Sequence, residues 1–407
     1  MPQDGLFAVL DHVRTSRESS RAELARATGL GRSVLTQRVE SLLEYGLLAE
    51  DRLGVSTGGR APRLVRFRED AGYLLVADLG ATSIDVALAD LSGGIAVHRQ
   101  EACDIAAGPE AVLGRVHELS DDCVADAGGT GSLWGIGIGV PGPVEFESGR
   151  PVSPPIMPGW DGYAVRERFA ALGVPVWVDN DVNVMALGEL TAGCGNGVDD
   201  FVFVKIGTGI GAGIVVGGRI HRGAQGSAGD VGHIHVQAGT REVICRCGMS
   251  GCLEAFAGGA ALGRDAEEAA RAGRSEVLRT MLEAKGFLDA EDVALASKRG
   301  DPVSVELITE AGRLIGQMLN GIVNFFNPSL IVIGGGVAGA GDLLLATIRQ
   351  TIYRRSLPLA TRDLVVRRSE LDGRAGVIGA ATMVANELFA RDFLPRWLAS
   401  GTPSGAA

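Results

Sequence analysis

The chain has 407 residues, 46% of them apolar, enough for two or three domains with sizeable cores. A net charge of −11 argues against a protein whose whole surface binds nucleic acid, and no uncharged apolar run approaches the roughly 20 residues of a membrane span. The charge is uneven, because residues 1–70 carry eleven Arg, no Lys and ten acids, a net +1 that leaves −12 for the rest.

The opening MPQDGLFAVL has no basic stretch before an apolar core, so no export signal is expected. A cytoplasmic location with reduced thiols follows. Gly5–Thr15 reads as a first helix, with Leu6, Val9, Leu10 and Val13 on one stripe. Ser20 is placed to cap a second helix, Glu23 completes a capping box, and Gly29 ends it. A third helix is expected over about Arg32–Tyr45, burying Val34, Leu35, Val39, Leu42 and Leu43. Two short helices with a Gly-containing turn between them match the helix-turn-helix layout. Leu47–Glu50 and Leu64–Phe67 look like two strands around a Gly/Arg-rich loop, which makes a wing.

That layout points to DNA. Arg32, Ser33, Thr36, Gln37 and Arg38 fall at the start and exposed side of the third helix. Arg and Gln make bidentate contacts to guanine and adenine edges in the major groove. Arg60 and Arg63 on the wing are placed to enter a minor groove or grip phosphate. The competing reading is a small helical interaction module with solvated arginines.

Further on, strands Tyr73–Ala77 and Ile84–Ala89 flank the turn DLGATS. Asp78, Gly80 and Thr82 on that turn offer backbone N–H groups and a hydroxyl to an anion, and a carboxylate to hydrated Mg²⁺. Taken alone the motif is also an ordinary hairpin turn. Cys103, Cys123 and Cys194 have no metal-like neighbours and read as packing or surface thiols. Pro109–Ala127 is expected to be a helix and Leu133–Val140 a buried strand. The Pro/Gly-rich loop Ser153–Tyr163 with its Trp is a candidate wall for a polar ring ligand. Strand Val176–Val178 runs into Asn180 and Asp181 at the start of a helix, Val182–Leu190. Ligands of open α/β sheets bind beyond the carboxyl ends of strands. Asp181 there is placed to take a proton from a substrate hydroxyl, yet both residues would also serve simply as helix caps.

Strand Phe201–Ile206 leads into GTGIGAG and a strand at Ile214–Val216, repeating the earlier strand–turn–strand. Gly207, Thr208 and Gly209 then face the first turn across a cleft, an arrangement that would clamp a triphosphate. Pro302–Asn324 is a long apolar-periodic helix. Strand Leu330–Ile333 runs into Gly334-Gly335-Gly336, where bare backbone admits a flat ring or ribose. Gly376–Leu388 is a last helix, and residues 391–407 read as a flexible tail.

Between these elements lies a cysteine-rich stretch. His233, Cys245, Cys247 and Cys252 form an H-x11-C-x-C-x4-C cluster with the residue types of a structural zinc site. His235 shares a strand face with His233, so spacing alone leaves the fourth ligand open. Three free thiols or a disulfide are the plainer readings.

With these pieces in place the chain resembles the ROK family of repressors, open reading frames and sugar kinases. The resemblance covers about residues 5–390. It rests on D-L-G-A-T (78–82), V-P-G (140–142), P-G-W (158–160), D-N-D (179–181), G-T-G-I-G (207–211), G-D-V-G-H (229–233), C-R-C-G-M-S-G-C-L-E (245–254) and G-G-G-V (334–337). It implies an α/β chain in which a two-lobed actin-like ATPase fold with a structural zinc site follows a winged helix-turn-helix. The implied boundaries are 1–68, 72–198, 199–390 and the tail. It also selects His233 over His235 as the zinc ligand. By the same mapping Asn180, Asp181, Asp230, His233 and Glu254 contact a sugar. In the kinases the residue at Asp181 is the base, and the glycine turns, with Gly335 and Gly336, hold ATP with Mg²⁺. Two departures stand out: Asp230 where the kinases usually carry Glu, and Ala81 where they usually carry Gly. Together with the DNA-binding extension these place the chain among the family's regulators. A sugar-responsive repressor is expected, with operator DNA and a sugar or sugar phosphate as ligands and a homodimer or homotetramer as its assembly. An ATP-dependent sugar kinase is the alternative.

Overall fold

Three helices and a small sheet open the chain. They are α1 (Pro2–Ser16), α2 (Arg21–Thr28) and α3 (Arg32–Glu44), with strands β1 (Glu18–Ser20), β2 (Leu48–Leu53) and β3 (Arg63–Phe67) in the order β1-β3-β2. The computed structural model describes residues 2–54, 61–129, 131–236 and 242–405. The Ser20 hydroxyl accepts from the Glu23 N–H while the Glu23 carboxylate accepts from the Ser20 N–H, the expected capping box. Gly29, at φ 67°, closes α2 in the left-handed region that glycine tolerates. Helix α3 buries Leu35, Val39 and Leu42. Val34, expected in the same stripe, is instead 41% exposed. Strand β1 was not legible in the sequence; it pairs antiparallel with β3.

The body is a duplication. Its first sheet contains β4 (Tyr73–Leu79), β5 (Ser83–Asp90), β6 (Ile95–Ala102), β7 (Leu133–Val140) and, after a two-stranded hairpin of β8 (Val144–Glu145) and β9 (Arg150–Pro151), β10 (Val176–Asn180). Their order is β10-β7-β4-β5-β6. The second sheet contains β11 (Phe201–Ile206), β12 (Ile210–Val216), β13 (Arg219–Ile220), β14 (Leu330–Gly334) and β15 (Val365–Arg368), in the order β13-β12-β11-β14-β15. Each sheet has an antiparallel meander on one side and parallel strands on the other. Strands β4 and β11 therefore hold equivalent central places, and each is followed by a glycine turn. Both are nearly continuous apolar runs, as strands covered on both faces should be. Strand β12 starts at Ile210 rather than Ile214, which narrows the second turn to residues 207–209.

Helix α4 (Pro109–Asp126) covers the first sheet, and the long helix α5 (Pro302–Phe326) lies in the core of the second. The helix Asp181–Ala192, which follows β10, packs against Ala375–Leu388. The expected boundary at 390 needs correction here. Ala375–Leu388 follows the second sheet in sequence but shares a core with Val76, Trp134 and Trp177 of the first. Residues 391–405 are likewise no tail: the short helix Leu394–Trp397 buries Leu394 and Trp397, and the Trp397 indole donates to the Leu388 carbonyl at 3.0 Å. Phe389, Trp134 and Trp397 form an edge-packed aromatic cluster that also takes in Phe67 of β3. One core thus runs from the N-terminal helices into the first lobe. Among the described residues no helix is long and apolar enough to cross a membrane.

Candidate functional site

The carboxyl ends of the two central strands meet at a cleft of about 1250 Å³ between the lobes. Asp78, Gly80, Ala81 and Thr82 line it from the first turn, and Gly207, Thr208 and Gly209 from the second. Gly335 and Gly336 close a third side. The sequence-predicted phosphate residues are therefore together. The first turn is closed by Gly80 N–H donating to the Ser83 carbonyl at 2.8 Å. Ala81 causes no backbone strain, since Arg17, Ser153 and Asn327 are the described non-glycine residues with positive φ. Gly335, at φ +88°, is different: a Cβ there would meet the Ile206 carbonyl at 2.5 Å.

Asp78 lies deep in this cleft. It faces Asp85 across the β4–β5 ladder, and its Oδ1 is buried without a hydrogen-bond partner. Gly139 and Gly376 leave room for it, as a Cβ on either would run into its carboxylate. Burial pushes the Asp78 carboxyl up to about 7; Lys205 pulls it down, and Asp181 and Asp85 add to the rise. An acid whose pKa is higher folded than unfolded binds more protons in the folded state. Stability is therefore lost as pH rises from about 4 to about 7. Asp78→Asn should remove that component. The difference between urea midpoints at pH 5 and pH 8 is expected to shrink in the variant, and an unchanged difference would show that Asp78 is ionised throughout.

Asn180 and Asp181 divide the two roles that the sequence left open. Asn180 is the cap: its Oδ1 accepts from the N–H groups of Val182 and Asn183, and its Nδ2 donates to the Gly142 carbonyl at 2.8 Å. Asp181 opens into the cleft. Its Oδ1 accepts from Val182 N–H and Asn180 Nδ2, and its Oδ2 accepts from the Lys205 ammonium at 2.5 Å. Sequence reasoning missed Lys205. The available signal was a lone charge in the apolar run FVFVKI, next to a glycine turn. Burial lowers the Lys205 ammonium, but Asp181, Asp78 and Asp85 outweigh it and hold it above the ordinary lysine value.

Residues 223–236 bring the second set. Gly229 lies against the Ala212 carbonyl at φ +97°, which seats the loop on β12. Arg222 ties the start of this loop to the first lobe: its Nε donates to Asp179 Oδ2 at 2.8 Å, and its guanidinium lies 3.7 Å from the Phe146 ring centroid. Asp230 and His233 line the cleft, with Asp230 Oδ1 3.7 Å from His233 Nε2. Glu254 completes the wall, one oxygen accepting from Cys245 Sγ at 3.2 Å and the other lying against Gly209. From the loop at 153–163, Pro155 and Ile156 reach the cleft. Trp160 does not. It is fully buried and donates to the Ile105 carbonyl, so it anchors the loop rather than facing a ligand.

Behind Glu254, His233, Cys245, Cys247 and Cys252 gather their ligand atoms within 4.8 Å of one another. His233 Nδ1 is 3.7 Å from Cys245 Sγ, and Cys247 Sγ is 3.7 Å from Cys252 Sγ. Two thiolates at about 2.3 Å from a tetrahedral ion stand about 3.8 Å apart, so the cluster fits zinc. Left-handed Gly248 and Gly251 turn the chain so that the thiols converge. His235 is excluded from the cluster; its exposed ring covers Gly251, and its backbone bridges to Cys252.

At the N-terminus, α3 exposes Arg32, Ser33 and Gln37 together with Val34, while Thr36 and Arg38 are half-buried. Arg38 leans toward α1 near Gly5, with its Nε buried and unpartnered. Arg63 is exposed at the first position of β3, and Arg60 lies outside the described residues. Val34 is the residue that the helical pattern misplaced; an exposed apolar side chain beside Arg32 suits a thymine methyl.

Two duplicated lobes closing on paired glycine turns define the two-lobed actin-like sugar-kinase fold. Residues 75–387 match the ROK family model, and the chain belongs to the ROK family. A putative xylose repressor of Caldicellulosiruptor sp. (strain Rt8B.4) is 32% identical over 388 residues, 95% of each chain. The crystal structure of a ROK family transcriptional regulator, a homologue of the E. coli MLC protein, superposes with a TM-score of 0.82 at 27% identity, covering 98% of this chain and 99% of that one. A ROK family glucokinase from Streptomyces griseus, solved with glucose and AMPPNP, gives 0.66 at 31% identity, covering 77% of this chain and 99% of that one.

Proposed function

We propose that this chain is a sugar-responsive transcriptional repressor. In this reading residues 1–68 bind an operator, and the two-lobed body that follows senses a sugar or sugar phosphate. The observation that carries it is the N-terminal unit, whose α3 presents Arg32, Ser33, Val34 and Gln37 outward while its base shares a core with the ligand-binding body. The relatives support it, since the repressor and regulator matches span the N-terminal unit and the body, whereas the glucokinase covers 77% of the chain. Asn180, Asp181, Asp230, His233 and Glu254 hold the sugar. The gap between Asp230 Oδ1 and His233 Nε2 is too long for a direct hydrogen bond and suits one sugar hydroxyl shared by both. Zinc is structural and fixes the loop that carries His233 and Glu254. Neither ATP nor Mg²⁺ is required for sensing. A homodimer or homotetramer would read a palindromic operator.

The test is selection of bound duplexes from a randomised pool with the full-length protein, then release of the selected duplex by a panel of pentoses and hexoses. An enriched palindrome released by one sugar is expected, and a pool without enrichment would sink the reading. On the selected site Arg32→Ala and Gln37→Ala should each cost about 1–3 kcal/mol and relax preference at one base position. Arg63→Ala should weaken all sequences alike and flatten the salt dependence.

A further inference from the structure

We infer that Lys205 takes the place of a divalent cation in the cleft, so that this ROK body binds its ligand without metal–nucleotide. The inference rests on the reading of the cleft as a sensing site and identifies the residue that makes it one. The fold is shared with a glucokinase solved with a nucleotide analogue, yet this cleft does not fit a nucleotide's metal.

The fit fails at Asp181. A divalent ion between the lobes needs carboxylate oxygens turned toward open space, with positions left for phosphate oxygens. Both Asp181 oxygens are already engaged, Oδ1 by the Val182 N–H and Asn180 Nδ2, and Oδ2 by the Lys205 ammonium at 2.5 Å. The carboxylate is 5% exposed and the lysine 18%, so the pair sits at the floor of the cleft and not at its rim. Asp78 and Asp85 line the same cleft, and both act on the ammonium. One fixed positive charge thus stands on the Asp181 carboxylate, with the carboxyl groups of Asp78 and Asp85 in the same cleft, where a hydrated metal would otherwise be drawn. An ion bound to Asp181 would lie beside the ammonium and be repelled by it. The geometry also bears on catalysis. The Asp181 oxygen bonded to Lys205 already accepts one donor, so a sugar hydroxyl at Asp181 shares that oxygen with the ammonium. No Cα movement is needed for this blockade, because it comes from one side chain on β11.

Mn²⁺ is the probe, followed by electron paramagnetic resonance on the full-length, zinc-loaded protein. Wild type is expected to show no saturable Mn²⁺ site in the cleft. Lys205→Met should gain one, binding at least about tenfold more tightly than wild type, because the carboxylates lose their internal cation. Lys205→Gln, which keeps a donor but no charge, is measured beside it in case the apolar replacement does not fold. Adding Asp181→Asn to either variant should remove the gained site. Wild-type binding of one Mn²⁺ that Asp181→Asn abolishes would overturn the inference, as would the absence of any gain in the folded lysine variant. The assay uses neither DNA nor sugar, so its failure is separate from failure of the repressor reading.

Discussion

Gly379→Ala is expected to destabilise the protein by about 3 kcal/mol and to uncouple the cleft from the N-terminal unit. The helices Asp181–Ala192 and Ala375–Leu388 cross with their backbones in contact. A Cβ on Gly379 would fall on the Val184 carbonyl and 2.8 Å from the Gly188 nitrogen, and one on Gly188 would fall on the Ala375 carbonyl. Backbone cannot yield as the end of a side chain does, so the helices must separate. These two helices also join the functional ends of the molecule. One begins at Asn180 and Asp181 in the cleft. The other begins beside Asp78 and ends at Leu388, next to Phe389. There Arg14 of α1 donates to the Ala385 carbonyl at 3.2 Å and lies 4.5 Å from the Phe389 ring centroid. A rigid pair can pass a shift of Asp181 to the DNA-binding unit; a separated pair cannot. The urea midpoint should fall, and the folded variant should still bind the selected duplex but lose most of its release by sugar. A variant with wild-type midpoint and release would show that the glycine contact carries neither stability nor signal.

Much of this was legible because local pattern and tertiary role agree. The central strands Tyr73–Leu79 and Phe201–Ile206 are buried on both faces, so their apolar runs stood out, and the glycine turns after them marked the cleft. The Cys245–Cys252 spacing marked the metal cluster. Other features depend on partners far away in sequence. Trp397 was hidden in what read as a tail because its partners, Trp134 and Phe389, come from other elements. Strand β6 was missed because its residues IAVHRQEA are half-exposed and half of them polar, so its apolar run stops after three residues. Trp160 looked like a ligand wall because nothing local showed the Ile105 carbonyl waiting in the core. Lys205 is the most consequential case: a strand lysine acquires its meaning only from Asp181, 24 positions earlier. His233 and His235 share a face by alternation. Only the turn after Asp230 shows that His233 points to the thiols while His235 covers Gly251.

That choice between histidines gives the second large effect. Cys252→Ser and His233→Ala should each lower zinc from one ion per chain to below about 0.1 after dialysis, while His235→Ala should keep it. In this reading zinc does more than hold a surface turn. Burial pushes the Cys245 and Cys252 thiols above the ordinary range, and a bound zinc ion offsets this by stabilising the thiolates. Without the ion four ligand atoms lose their common centre. Residues 245–252 are then left to backbone bonds such as Cys245 N–H to Met249 O, Gly248 N–H to Cys245 O and Gly251 N–H to Val243 O, and to the Cys252 bridge to His235. His233 Nε2 and Glu254, which face the cleft, lose their placement with it. Loss of zinc should therefore lower stability by about 3–5 kcal/mol and weaken sugar release at least about tenfold. Duplex binding without sugar should change far less, because α3 belongs to a different core from the cluster. Metal analysis of the three purified variants, with duplex binding at rising sugar concentration, checks both halves. Zinc retained by Cys252→Ser, or lost by His235→Ala, would reassign the ligands. Zinc lost with sugar release intact would separate the metal from the sensing cleft.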